Sequence, residues 1–159
     1  MMEENKQGQF ILSSGDGAQP YNYAVGTWGS KFLTELRDKE QILGIRCPKC
    51  RTVYVPPRQV CGPCFTEMTE LVPVASEGKI VSYTILRFQF LDPETGEKKP
   101  VPYGYGFFKL DGADNNFQHF IEVPEDESRL YIGARVKAVF AEKKQGSLRD
   151  IKHFTLVNE

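Results

Sequence analysis

Cys47-Pro48-Lys49-Cys50-Arg51-Thr52-Val53-Tyr54-Val55-Pro56-Pro57-Arg58-Gln59-Val60-Cys61-Gly62-Pro63-Cys64 is the stretch that decides the architecture. It holds all 4 cysteines of a 159-residue chain, arranged as two Cys-x2-Cys pairs. Pro and Gly inside the pairs favour tight turns, and two such turns aim paired sulfurs at one point. Four thiolates so placed suit a tetrahedral Zn²⁺, at metal–sulfur distances of about 2.3 Å. Between the pairs, Thr52 to Val55 reads as a ribbon strand that Pro56-Pro57 turns back. A four-thiolate set is closed and leaves no position for water or substrate, so the expected ion is structural rather than a Lewis acid. Metal binding in comparable sites contributes on the order of 10–16 kcal/mol, far more than the few apolar residues of such a ribbon supply. The ribbon is therefore expected to fold around its metal.

Cys61-Gly62-Pro63-Cys64 also has the form of a thioredoxin-type redox pair. Such a pair needs a βαβ setting with its first cysteine at a helix start, whereas here a second pair lies just upstream and strands follow. Metal ligation is the preferred reading. Residues 44 to 64 contain Arg46, Lys49, Arg51 and Arg58 and no Asp or Glu. Two readings stand: the cations offset the excess negative charge of a zinc tetrathiolate, or they form a phosphate-binding surface.

Upstream, Trp28, Phe32, Leu33, Leu36 and Leu43 recur near helical spacing opposite Lys31, Glu35, Arg37 and Lys39. This predicts a helix over 27–44, capped by Thr27 or Ser30 and closed by Gly44. Its apolar stripe serves the core or a partner. Residues 1–26 read as an extended arm with isolated aromatics; it is either a loose tail or a docking segment in which Phe10, Ile11, Tyr21 and Tyr23 meet another subunit.

Downstream of the ribbon, assigned to 45–70, the pattern changes to short strands between turns. Lys79 to Leu91, Pro102 to Leu110, Phe117 to Val123, Arg135 to Ala141 and Leu148 to Val157 are the strand candidates. Five strands in roughly 80 residues suggest a small barrel over 71–159. In the first strand Val81, Tyr83 and Ile85 share one face while Leu86, Phe88 and Phe90 share the other, which predicts a bulge or sharp bend near Ile85. A long first strand that bends to serve both halves of a closed sheet is what a five-stranded Greek-key barrel of the OB type requires. The predicted fold class is thus mainly β with an N-terminal helix. In Tyr103-Gly104-Tyr105-Gly106-Phe107-Phe108 the two glycines fall on one face and Tyr103, Tyr105 and Phe107 on the other. The glycines serve either barrel closure or the close approach of a ligand.

Catalytic signals are sparse. The 2 histidines, His119 and His153, lie in no nucleophile or relay motif, and His119 alternates with Phe117, Ile121 and Val123, as a hydrogen-bonded core histidine would. With every thiol committed to metal, no cysteine remains as an acyl-accepting nucleophile. The formal net charge of -1 lacks the basic excess expected of a phosphate-binding nucleic-acid protein. Met1 to Gly17 lacks the basic start and apolar stretch of a secretory signal, and no run approaches the roughly 20 apolar residues that span a bilayer, so a cytoplasmic protein with no membrane partner is expected.

Taken together, the leading helix, Cys47-x2-Cys50, Pro56-Pro57-Arg58-x2-Cys61-x2-Cys64, Glu77-Gly78-Lys79-Ile80-Val81-Ser82-Tyr83-Thr84, Pro102-Tyr103 and Ile132-Gly133-x2-Val136 resemble the zinc-ribbon plus OB-fold proteins associated with acyl-CoA enzymes. The resemblance runs from about residue 27 to the C-terminus, and the N-terminal arm departs from the shorter family members. It implies a rubredoxin-like zinc ribbon followed by a five-stranded OB-fold barrel. It further implies a heteromer in which this chain accompanies a thiolase-like or hydroxymethylglutaryl-CoA-synthase-like catalytic subunit and helps to form its CoA site. On that reading Lys49, Arg51, Arg58, Tyr103 and Tyr105 are candidate contacts for CoA, an acyl-CoA or the partner, and Phe10, Tyr21, Tyr23, Trp28 and Phe32 are candidate docking residues. The alternative is a single-stranded nucleic-acid-binding module, since ribbons and OB barrels both serve that role; the neutral charge weighs against it.

Overall fold

The computed structural model describes residues 2–4, 11–13, 24–91 and 96–157. Strands β1 (Met2–Glu4) and β2 (Ile11–Ser13) pair antiparallel. Phe10, Tyr21 and Tyr23 lie outside the described residues.

Helix α1 (Gly26–Lys39) buries Phe32 and Leu36. It begins without the expected side-chain cap: Val25 holds the N-cap position, and Ser30 donates its hydroxyl back to the Gly26 carbonyl at 2.7 Å. It also ends earlier than Gly44. Glu40 takes the left-handed turn, at φ 55°, and its N–H bonds the Leu36 carbonyl at 3.1 Å. Gly44 instead lies in β3 (Ile42–Arg46), where an added Cβ would sit 2.7 Å from Val53 Cγ1 and 2.9 Å from Val74 Cγ2. Close packing, and not a helix stop, is what requires glycine there. Leu43 likewise belongs to this strand and not to the helix stripe.

The ribbon is a three-stranded antiparallel sheet in the order β4-β3-β5, with β4 at Val53–Tyr54 and β5 at Glu70–Val74. The barrel follows with β6 (Glu77–Leu86), β7 (Tyr103–Leu110), β8 (Phe117–Ile121), β9 (Arg135–Phe140) and β10 (Ile151–Leu156). It closes in the order β10-β8-β7-β6-β9, antiparallel except where β10 runs parallel to β8. First strand against second and fourth, third against fifth: this is the OB arrangement. The sequence Leu148–Asp150, expected to begin the last strand, is a 3-10 turn with a capping box from Ser147.

The phase change of the first barrel strand comes from a bulge, as expected, but at a different position. Register shifts between Ile80 and Ser82, not near Ile85, so Val81 bulges outward while Gly78, Ile80, Tyr83 and Ile85 face in. Phe88 and Phe90 lie past the strand end and are exposed.

One core unites the parts. Phe32 and Leu36 of the helix, Val53, Val55, Val72 and Val74 of the ribbon, and Ile80, Phe108, Val136 and Phe154 of the barrel form a single apolar cluster. The turn between β7 and β8 adds polar fasteners. The Val53 N–H donates to Asp114 at 2.7 Å, and the Asn115 amide pairs with both backbone groups of Val55, at 2.7 and 2.6 Å, as a strand would. Among the described residues no helix is long and apolar enough to cross a membrane.

Candidate metal centre and barrel groove

Two matching knuckles build the metal centre. In the first, the Cys47 N–H bonds Thr52 O and the Arg51 N–H bonds Cys47 O; in the second, Cys61 bonds Thr66 O and Phe65 bonds Cys61 O, all within 2.9 to 3.0 Å. The residue after each second cysteine takes a left-handed conformation, Arg51 at φ 65° and Phe65 at φ 50°. Two non-glycine residues thus accept a backbone region that sterics disfavour, which is how each turn closes around its sulfurs.

A tetrahedron with metal–sulfur bonds of about 2.3 Å has sulfur–sulfur edges of about 3.8 Å. Cys50 and Cys61 Sγ stand 3.7 Å apart, and all four Sγ atoms lie within 4.8 Å of one another. The four cysteines are positioned to bind a metal, and the all-thiolate set fits zinc. Cys47 and Cys61 are buried with Ile45, Tyr54 and Met68, while Cys50 is exposed. Crowding forces the thiols apart in acidity: hydrogen bonding to Thr52 pulls Cys50 down to about 6, and hydrogen bonding to Cys50, then burial, pushes Cys64 up to about 12. Loading the site therefore displaces protons from sulfur.

Three of the four ribbon cations find carboxylate or aromatic partners. Arg46 and Arg51 both reach Glu70, the latter at 3.6 Å, and the Arg58 guanidinium lies 3.9 Å from the Tyr54 ring centroid. Glu70 falls just beyond the acid-free window of the sequence, and only the β3–β5 pairing of Arg46 with Glu70 brings it back. Lys49 is exposed. Trp28 packs half-buried against the ribbon cluster, with Lys31 4.9 Å from its ring. Phe32 is 2% exposed, which corrects its expected docking role: its ring is enclosed by the core and presents nothing to a partner.

Tyr103 and Tyr105 alternate with the buried Gly104 and Gly106 and stand on the outer face of the barrel. The glycines between them serve the barrel itself. A Cβ on Gly104 would meet Ile121 O at 2.8 Å, and one on Gly106 would meet Ser82 O at 2.6 Å. The tyrosines line a groove of about 490 Å³ between the β6–β7 hairpin and the Leu148–Asp150 turn, into which none of Lys49, Arg51 and Arg58 reaches. Phe120 joins them, 5.0 Å from Tyr105 and 6.1 Å from Tyr103 between ring centroids. Lys99 Nζ lies 3.3 Å from the Phe120 centroid. Sequence reasoning missed Phe120, Lys99, Arg149 and Lys152, although the alternation that put His119 inward also put Phe120 outward.

His119 is buried beneath this groove, as expected of a core histidine. The Phe120 N–H donates to Nδ1 at 2.8 Å, so Nε2 carries the ring proton and donates to Leu148 O at 3.0 Å. Burial pushes its pKa below the ordinary value.

Comparison with known proteins adds the lineage. Residues 34–69 match the model of the ChsH2 rubredoxin-like zinc ribbon domain, and residues 71–141 match that of the ChsH2 C-terminal OB-fold domain. A DUF35 domain-containing scaffold protein of Methanocaldococcus jannaschii is 33% identical over 113 residues, 69% of this chain and 74% of that protein. Benzoylsuccinyl-CoA thiolase subunit BbsA of Thauera aromatica is 31% identical over 98 residues, 57% of this chain and 62% of the relative. Among solved structures, a DUF35 protein of unknown function from Sulfolobus solfataricus aligns at TM-score 0.59 and 22% identity, covering 83% of this chain and 87% of its own. A chain of the Ltp2-ChsH2(DUF35) aldolase aligns at TM-score 0.57 and 18% identity, covering 78% and 92%. These two structures share the fold.

Proposed function

Because this chain belongs to the DUF35 family, with its ChsH2-type zinc ribbon and OB-fold domain, we propose that it is a non-catalytic, zinc-bearing accessory subunit of a heteromeric thiolase-type enzyme acting on acyl-CoA. The observation that carries this reading is the convergence of all four thiols on one closed site. No sulfur is left to accept an acyl group, and the buried histidine is committed to bracing the Leu148 turn. Zinc, when bound, supplies a cross-link between the two knuckles. Cys47, Cys50, Cys61 and Cys64 hold it, and the ribbon so fixed packs through Val53 and Val55 onto the barrel.

The partner is a thiolase-like catalytic subunit, which this chain stabilises and whose CoA or acyl site it helps to form. Lys49, Arg51 and Arg58 on the ribbon and Tyr103 and Tyr105 on the barrel are its contacts to CoA or partner, with Trp28, Phe10, Tyr21 and Tyr23 as docking residues. The likeness to a benzoylsuccinyl-CoA thiolase subunit supports the finer reading: CoA-dependent carbon–carbon cleavage of that thioester in anaerobic toluene degradation, in the cytoplasm. Co-expression with a thiolase-like partner from the same source tests it. The expected outcome is a co-purifying complex whose thiolysis rate depends on this chain; two proteins that elute apart, with thiolysis unchanged on mixing, would refute it.

A further inference from the structure

The two knuckles of the ribbon match in backbone but not in cover. Arg58 lies over the second: its guanidinium stands 3.9 Å from the Tyr54 ring centroid and reaches to 4.0 Å from the Cβ position at Gly62. There Cys61 is fully buried and Cys64 is half-buried. In the first knuckle Cys47 is fully buried, but Cys50 is exposed, between the exposed side chains of Lys49 and Arg51. A small oxidant dissolved in water therefore meets one sulfur of the four first. That sulfur also has a reaction partner close by. Cys61 Sγ lies 3.7 Å from it, with the Tyr54 hydroxyl 3.8 Å from Cys61 Sγ on its buried side.

A redox-sensing cysteine needs thiolate character, exposure and a neighbouring thiolate that resolves the oxidised sulfur. Metal ligation supplies the first, because cysteine holds a metal only as its thiolate. Cys50 has the second and Cys61 is placed to provide the third. The chain has no cysteine outside this set, so any disulfide formed within it removes two metal ligands at once.

We propose that Cys50 is an oxidative modification site through which a peroxide unlocks the ribbon. The Cys50 thiolate attacks one oxygen of hydrogen peroxide and breaks the O–O bond; sulfur becomes a sulfenic acid and the other oxygen leaves as hydroxide. The Cys61 thiolate then attacks the Cys50 sulfur, forms the S–S bond and expels the second oxygen as hydroxide. Two thiolates have lost two electrons, and one peroxide with two protons has become two waters. Cys47 and Cys64 remain, half of a tetrahedral set, and no longer retain zinc against a chelator. The joined sulfurs bridge the two knuckles, unlike the Cys61-Gly62-Pro63-Cys64 motif. Because Val53, Val55 and Val72 carry the ribbon into the common core, oxidation at one exposed sulfur loosens the packing of ribbon on barrel. A dithiol reductant reverses the step.

The inference rests on the zinc reading of the four thiols, so the test begins with metal content of the full chain by native mass spectrometry. A chain without stoichiometric zinc overturns both readings. The zinc-loaded chain is then treated with about ten equivalents of hydrogen peroxide in the presence of a chromogenic chelator. The expected result is release of the metal, dimedone trapping on Cys50 before any other cysteine, and a Cys50–Cys61 disulfide in peptide maps run without reductant. Dithiothreitol with added zinc should restore the loaded form. Cys50→His keeps four donors but removes the exposed sulfur, and should slow peroxide-driven release about tenfold or more. Should that variant fail to fold, the trapping order in the unaltered chain still decides. Zinc retained through the treatment, first trapping on another cysteine, or a disulfide that excludes Cys50 overturns this proposal and leaves the zinc reading intact.

Discussion

At the scale of the residue, the molecule depends on side chains that are fully committed. Cys61 is buried, stands 3.7 Å from Cys50 Sγ and lies 3.8 Å from the Tyr54 hydroxyl. Cys61→Ser should abolish stoichiometric zinc, measured by native mass spectrometry of protein purified without chelators; a variant that retains one zinc per chain would show that the four thiols are not the site. His119 offers a test by pH. Its folded pKa lies below the ordinary 6.5 because burial disfavours the charged ring. The unfolded chain therefore binds more protons below about pH 6.5, and stability falls as pH drops through that value toward the folded pKa. His153, 3.8 Å from Glu122, is shifted the same way by burial, with the carboxylate opposing. In urea titrations between pH 7 and 5, His119→Gln should flatten the loss of stability with acid; an unchanged slope would place the acid sensitivity elsewhere. That His119 faces the core was legible in its alternation with Phe117 and Ile121. That its Nε2 braces Leu148 was not, because the two residues are 29 positions apart and meet only across the barrel.

At the scale of the element, the turn between β7 and β8 fastens the ribbon. Asn115 satisfies the N–H and the carbonyl of Val55 together, at 2.7 and 2.6 Å, in place of a neighbouring strand. Asn115→Ala leaves both half-buried groups without their partner and should cost about 1–3 kcal/mol in urea denaturation, with the zinc site retained. Gly104 packs so closely that any side chain meets the Ile121 backbone, so Gly104→Ala should destabilise by about 1–3 kcal/mol through overpacking. Both glycines of Tyr103-Gly104-Tyr105-Gly106 could be read from sequence as serving closure or ligand approach. The structure assigns them to the barrel, and the tyrosines to the groove. The bulge shows the limit of reading one strand alone: hydrophobic phase revealed that β6 must slip, but the slip sits at Val81 because pairing with β7 shifts between Ile80 and Ser82.

At the scale of the whole molecule, the ribbon and the barrel share one apolar core, so they should not melt apart. Scanning calorimetry of the zinc-loaded chain should give a single transition. Removing zinc with a high-affinity chelator should lower its midpoint substantially, since the disordered ribbon withdraws Val53, Val55 and Val72 from the barrel's cover. Two separate transitions would mean that the shared core contributes little. The sequence by itself determined the four-cysteine set positioned for a metal, the ribbon, the number of barrel strands and the family. Those features rest on cysteine spacing, turn residues and strand alternation, which act over a few positions and need no knowledge of the rest of the chain. Only the tertiary structure decided where the helix stops, why Gly44 is small, that Glu70 pairs with Arg46 and Arg51, and that Lys99, Phe120 and Lys152 share a groove with Tyr105. The last three arise from strand pairing: strands distant in sequence become neighbours, and which side chains then face one another follows from pairing and register, which spacing along the chain does not encode.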